Sequence, residues 1–238
     1  MKDDGVNFTL DERAIIGQLQ DWTNDKTFSP QECWQIFSYP KLVTIFATMM
    51  CELTLDEVKS LRSAKSKLRS LLEKRSNYRC AYCRRLKTQH EYAWHVEHVK
   101  NKNLHRDLTF KIGNLAHACV ECNFTKNINI DSKNPYTFDI IHPAEDGFQY
   151  SDHMLMMQVM TESVAYLQYA PGSPEAFATY YKLNFELLER NAFTADFDPD
   201  LHKFTADLAN SIEIAKVNGM LEIAGFMSEM LGLLLLMK

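Results

Sequence analysis

Cys80-Ala81-Tyr82-Cys83, Trp94-His95-Val96-Glu97-His98-Val99, Gly113-Asn114-Leu115 and Cys119-Val120-Glu121-Cys122-Asn123-Phe124-Thr125-Lys126 follow one another within about a fifth of the chain. A C-x-x-C pair supplies two thiolates from one tight turn, and two such pairs complete the four-sulfur tetrahedron that structural zinc prefers. The expected cage is Cys80, Cys83, Cys119 and Cys122. The 35 residues between Cys83 and Cys119 exceed the roughly 15–20 of a compact zinc ribbon. The excess suits a two-strand excursion that carries Glu97, His98 and Asn114, while Asn123 follows the last cysteine directly. One imidazole, one carboxylate and amide side chains are sufficient to activate water and to hold a divalent cation beside a phosphodiester.

The order C-x-x-C, E-H-V, N-L, C-x-x-C-N-x-x-K resembles the zinc-bearing form of the HNH nuclease family over residues 79–126. That resemblance implies a ββα-metal module with two short strands, from Tyr92 to Val99 and on the approach to Asn114, and a helix from near Cys119 through Lys126. By the family pattern His98 matches the general base and Asn114 the residue that orients its imidazole. Glu97 and Asn123 match the oxygen ligands of a catalytic magnesium or manganese. The third letter of the family is often His; an amide oxygen remains a legitimate ligand for a hard cation, so Asn123 alters metal preference rather than abolishing activity. Because neighbours on a strand face opposite ways, Glu97 and His98 can serve one phosphate only where the strand ends or bends. The pattern leaves His95 and His117 unassigned, and they read as substrate-facing or packed side chains. His90, His105, His142, His153 and His202 have no partner spacing and read as ordinary histidines. The competing reading of the whole motif is a zinc-organised nucleic-acid-binding or adaptor module that does not cut.

Charge is segregated along the chain. The net charge is −5, yet residues 59–126 hold 16 Lys and Arg against 5 Asp and Glu, leaving 10 against 26 elsewhere. A basic segment coincident with the motif is the footprint expected for a phosphate backbone. Arg79, Arg84, Arg85, Lys87, Lys100, Lys102 and Lys126 are the candidate nucleic-acid contacts, and the basic helix from Lys59 to Arg75 is read as touching substrate too. DNA rather than RNA is expected by family analogy.

The rest of the chain reads as helix around this centre, an α+β fold in three parts: a helical region at 1–76, the nuclease module at 77–130 and a mostly helical region at 131–238. Thr9-x-x-Glu12, Ser29-Pro30-Gln31-Glu32 and Thr54-x-x-Glu57 each begin a helix with a capping box. Beyond Asp131 a strand is expected over Tyr136–Ile141, stopped by Pro143. Helices are expected over Glu175–Arg190, Pro199–Val217 and Met220–Met237. Tyr181-Lys182-Leu183-Asn184 followed by Leu187-Leu188-Glu189-Arg190 behind such a core faintly resembles the HNH effectors of bacterial anti-phage systems of the Septu and retron-associated kind, which implies an ATPase partner. The closing run Leu233–Met237 is apolar all round and suits a homo-oligomer or such a partner, while Glu222, Ser228 and Glu229 argue against a membrane span. Met1–Gly5 leads into a capping box rather than an apolar export segment, which points to a reducing cytoplasm, with Cys33 and Cys51 as small buried hydrophobes.

Overall fold

Each of the three capping boxes forms as the sequence expects. Thr9, Ser29 and Thr54 accept from the backbone N–H three residues on, and Glu12, Glu32 and Glu57 return the bond to the cap. They open α1 (Leu10–Asn24), α2 (Pro30–Ser38) and α3 (Leu55–Arg75). In α3, Val58, Leu61, Ala64, Leu68 and Leu72 recur at helical spacing and are buried, Asp56 and Glu57 sit in the first turn, and Lys74 and Arg75 in the last. This charge order suits the helix dipole. The computed structural model describes residues 5–47, 49–87, 93–132, 138–160, 165–192 and 199–236. Two-stranded antiparallel pairing joins β1 (Val43–Ile45) to β2 (Met50–Glu52), a hairpin with no strong sequence signal.

The excursion between the cysteine pairs forms as β3 (Trp94–His98) antiparallel to β4 (Leu115–Cys119), followed at once by α4 (Val120–Lys126). Tyr92, where the first strand was expected to begin, lies outside the described residues. So do Tyr136, Thr137 and His90. Phe138–Ile141 does not form the end of a strand; the strands of this part of the chain are β5 (Met154–Met160) and β6 (Ala165–Pro171) instead. The single helix expected over Glu175–Arg190 is two, α5 (Pro174–Lys182) and α6 (Phe185–Ala192), because Asn184 turns the chain with φ at +56°. The last helices are α7 (Pro199–Val217) and α8 (Leu221–Leu236). The side chains of the expected apolar tail, Leu233 to Met237, lie outside the described residues. Among the described residues no helix is long and apolar enough to cross a membrane.

The chain divides into two compact units, Met1–Leu155 with Tyr169–Glu186, and Met156–Gln168 with Leu187–Lys238. Residue 76 is therefore not a boundary between compact units. The physical reason is a shared core: Leu19, Ile36, Phe37, Leu61, Leu68 and Leu72 of the helices pack in one cluster with Phe110, Ile112 and Leu115 of the segment that leads into β4. Fully burying each such side chain contributes about 1.5–3 kcal/mol, so separating the ββα segment from the helices would forfeit several of these terms at once. In the second unit Leu208, Ile212, Ala215, Ala224 and Met230 form a separate small core between α7 and α8.

Candidate metal centre and adjoining cleft

Four sulfurs meet where the knuckle, the end of β4 and the start of α4 converge. Cys80 and Cys83 come from the turn after α3, Cys119 ends β4 and caps α4, and Cys122 lies in the first turn of α4. Their sulfur atoms lie within 4.8 Å of one another and all four residues are buried. Cys83 Sγ is 3.8 Å from Cys119 Sγ. A tetrahedron with zinc–sulfur bonds of about 2.3 Å has edges of about 3.8 Å, so the donor set and its spacing fit zinc. All six cysteines are free of disulfides. Burial raises the Cys80 thiol, but S–H donation from Cys119, Cys122 and Cys83 outweighs it and holds Cys80 low. The Cys119 N–H adds a bond of 3.4 Å to Cys80 Sγ. Cys33 and Cys51 are buried away from this cluster, and burial pushes the Cys33 thiol up to about 11, which suits an unreactive packing role.

Hydrogen bonds fix the knuckle from several sides. Cys80 N donates to Arg85 O, Arg84 N donates to Cys80 O, and Ala81 N donates to His117 O on β4. Arg84 accepts φ of +59° to close the turn. From further along the chain Tyr150 Oη donates to Tyr82 O at 2.9 Å and Tyr169 Oη to Cys83 O at 2.7 Å. Neither tyrosine was singled out from the sequence, since nothing local marks a residue that reaches back to a carbonyl so far away.

The β3–β4 register pairs Glu97 with Ala116, His95 with Ala118 and His98 with Leu115. Alternation therefore puts His95 and Glu97 on one face and Trp94, Val96 and His98 on the other. His98 is the last residue of β3, where the sequence requires the strand to end. Its Nε2 lies 3.0 Å from Thr109 O, a bond in which the ring must donate, so Nδ1 is left as the acceptor nitrogen. Trp34 of α2 packs edge-on against the ring at 4.4 Å. Burial, with the Lys102 charge nearby, pushes the imidazole down to about 3, so it is neutral at pH 7. Asn114 does not bond to this imidazole. Its Oδ1 accepts from Lys100 N at 2.8 Å and its Nδ2 donates to Lys100 O and Leu108 O, so it ties down the loop whose end, Thr109, holds the ring. The orienting role expected of Asn114 is thus carried by the Thr109 carbonyl and Trp34.

On the other face Glu97 is buried with Oε1 2.8 Å from Lys126 Nζ, and Lys126 also donates to His98 O at 3.1 Å. Lys126 is fully buried, which corrects its expected place at a nucleic-acid surface: an interior carboxylate needs a counter-charge, and α4 delivers one. Asn123 Nδ2 lies 2.7 Å from His95 Nδ1. His117 stands apart from them, stacked on Trp94 at 4.7 Å and 13°.

His95, Glu97, His98 and Asn123 line one cleft of about 990 Å³, with Trp34, Gln35 and Tyr39 from α2 and its C-cap forming the facing wall and Lys65, Arg69 and Lys102 at its basic side. Of the seven expected nucleic-acid contacts Lys102 alone lines it. Arg79 donates to Arg84 O, Arg84 lies over the Tyr150 ring, and Lys100 lies over the Phe138 ring. Arg85 pairs with Glu121, and Lys87 with Glu73 at 2.6 Å. These side chains are engaged with other residues around the four-cysteine cluster. The basic helix α3 contributes Lys65 and Arg69 to the lining of the cleft.

No family model, curated protein or solved structure matches the chain.

Two outcomes follow from this geometry. The purified protein is expected to carry about one zinc per chain, and Cys83→Ser to lose both zinc and cooperative unfolding, because metal binding supplies folding free energy to so small a module; metal analysis beside thermal denaturation checks it. His98 is neutral when folded but takes up a proton near 6.5 when unfolded, so acid favours the unfolded chain. Stability is therefore expected to fall as pH drops from 6.5 towards about 3, and to fall less steeply over that window in His98→Gln, as read from urea midpoints at each pH.

Proposed function

We propose that the chain is a metal-dependent endonuclease of the HNH kind, hydrolysing phosphodiester bonds in DNA. The observation that carries this reading is the single cleft that collects a neutral, backbone-anchored imidazole, a carboxylate, an amide and three basic side chains beside a four-sulfur site. His98, held by Thr109 O and Trp34, accepts a proton from water at Nδ1, and the Thr109 carbonyl stabilises the imidazolium that results. Glu97 and Asn123 fit a hard divalent cation as a carboxylate and an amide on the same cleft, magnesium needing only one or two protein ligands besides water. A cation held there supplies neutralisation of charge at the scissile phosphate. Lys126 pairs with the Glu97 carboxylate and holds it in place, and Lys65, Arg69 and Lys102 draw the phosphate backbone to the cleft. By the separate, faint resemblance of Tyr181–Asn184 and Leu187–Arg190 to the HNH effectors of anti-phage systems, the chain serves as the nuclease of such a system with an ATPase partner. Exposed Ile214, Val217, Leu221 and Ile223 at the α7–α8 corner support a partner or a second copy at that surface.

Supercoiled plasmid incubated with the protein and magnesium or manganese is expected to be cut, and His98→Ala to lose cleavage while keeping zinc and DNA affinity. Cleavage by His98→Ala at the wild-type rate would remove His98 from the role of base. Binding without cleavage by the wild-type protein under every divalent cation would favour the adaptor reading.

A further inference from the structure

His95 stands on the same face of β3 as Glu97, two residues before it, and its ring bonds to the nitrogen of the Asn123 amide, whose oxygen accepts from Asn127 Nδ2 at 3.4 Å. The residues opposite these two on β4 are Ala118 and Ala116, both buried and both small, so the side chains of α4 can come close to this face. Asn123 does so: its amide lies 2.7 Å from His95 Nδ1. In that contact Nδ1 accepts, so its lone pair is directed at the Asn123 amide rather than into bulk water. Two neighbouring ligands of an octahedral cation with bonds of about 2.1 Å lie about 3 Å apart. The His95–Asn123 separation is already close to that edge, and an amide turned by half a rotation presents its oxygen where its nitrogen stood.

We propose that His95 is a third protein ligand of the divalent cation that Glu97 and Asn123 hold, and that it biases this centre from magnesium towards manganese. The inference rests on the proposed function of the same cleft. Oxygen-only sites suit magnesium, whereas an imidazole nitrogen raises affinity for transition metals and adds little for magnesium. His117, the other histidine next to the motif, cannot share the task, because it lies on the opposite face of the hairpin, stacked on Trp94. His95 is exposed, so its replacement leaves the core untouched. The same exposure makes a cation held there accessible from the cleft.

The test is binding of manganese to the full-length, zinc-loaded protein, followed by the paramagnetic resonance signal of free manganese, with magnesium measured by competition against it. His95→Ala is expected to weaken manganese binding by at least about tenfold and magnesium by less than about threefold, since losing a nitrogen ligand penalises the softer cation more. Glu97→Gln is expected to weaken both, and His105→Ala, a surface histidine elsewhere, neither. Manganese binding by His95→Ala equal to wild type, with loss in Glu97→Gln, would overturn the role of His95 and leave the cleft a cation site. Weaker DNA binding by His95→Ala with unchanged manganese affinity would likewise overturn it and make His95 a substrate contact. Failure of the wild-type protein to bind either cation would overturn the proposed catalytic cation itself, and this inference with it.

Discussion

Four cysteine sulfurs brought together in a buried pocket are the constraint on which the arrangement depends. Burial opposes ionising all four at once; a zinc ion would hold them as thiolates and make the same four groups a cross-link between three backbone segments. Cys119 ends β4 and begins α4, and Cys122 lies one turn on, so the cage sets the angle at which the helix leaves the hairpin. Asn123 follows directly. The position of a candidate ligand is thus tied to its neighbour in sequence, which belongs to the four-cysteine cluster. The knuckle side is held by Tyr150 and Tyr169 and by the bond from Ala81 N to His117 O.

A second tension lies on the α4 face of the hairpin. Glu97 and Lys126 are both buried, and a buried pair costs desolvation that its mutual attraction only partly repays. Replacing them by apolar side chains would be the more stable solution. A carboxylate kept there at that cost, opening on a cleft with Asn123 and His95, is consistent with a demand other than stability. The opposite face solves a different problem. His98 is kept neutral by burial and aimed by Thr109 O, with Trp34 supplied by a helix that lies far earlier in the chain. The N-terminal helices are in this sense part of the cleft, and the core they share with Leu115 joins them to β4.

Features that need only residues a few positions apart were legible in the sequence. A capping box asks for two side chains three residues apart, and all three formed. The four cysteines were legible because C-x-x-C fixes two ligands locally and only one long closure remains. What the sequence hid is pairing across distance. Arg85 and Lys87 read as free positive charge, yet their partners Glu121 and Glu73 lie 36 and 14 positions away. Lys126 read as a surface cation because nothing local shows that α4 turns it inward onto Glu97. Short strands such as β1 and β2 carry no usable signal, since three residues are too few to show a period and their apolar Val43, Ile45 and Met50 are exposed. The break at Asn184 escaped notice because a left-handed residue other than Gly carries no strong signal.

X-ray absorption at the zinc edge of the purified protein bears on the cage most directly. Four sulfur neighbours at about 2.3 Å, with no nitrogen or oxygen in the first shell, are the expected result. A shell containing histidine or water, or a folded protein that binds no zinc, would contradict the account, because the cross-link that places α4 against the β3–β4 hairpin would then be absent.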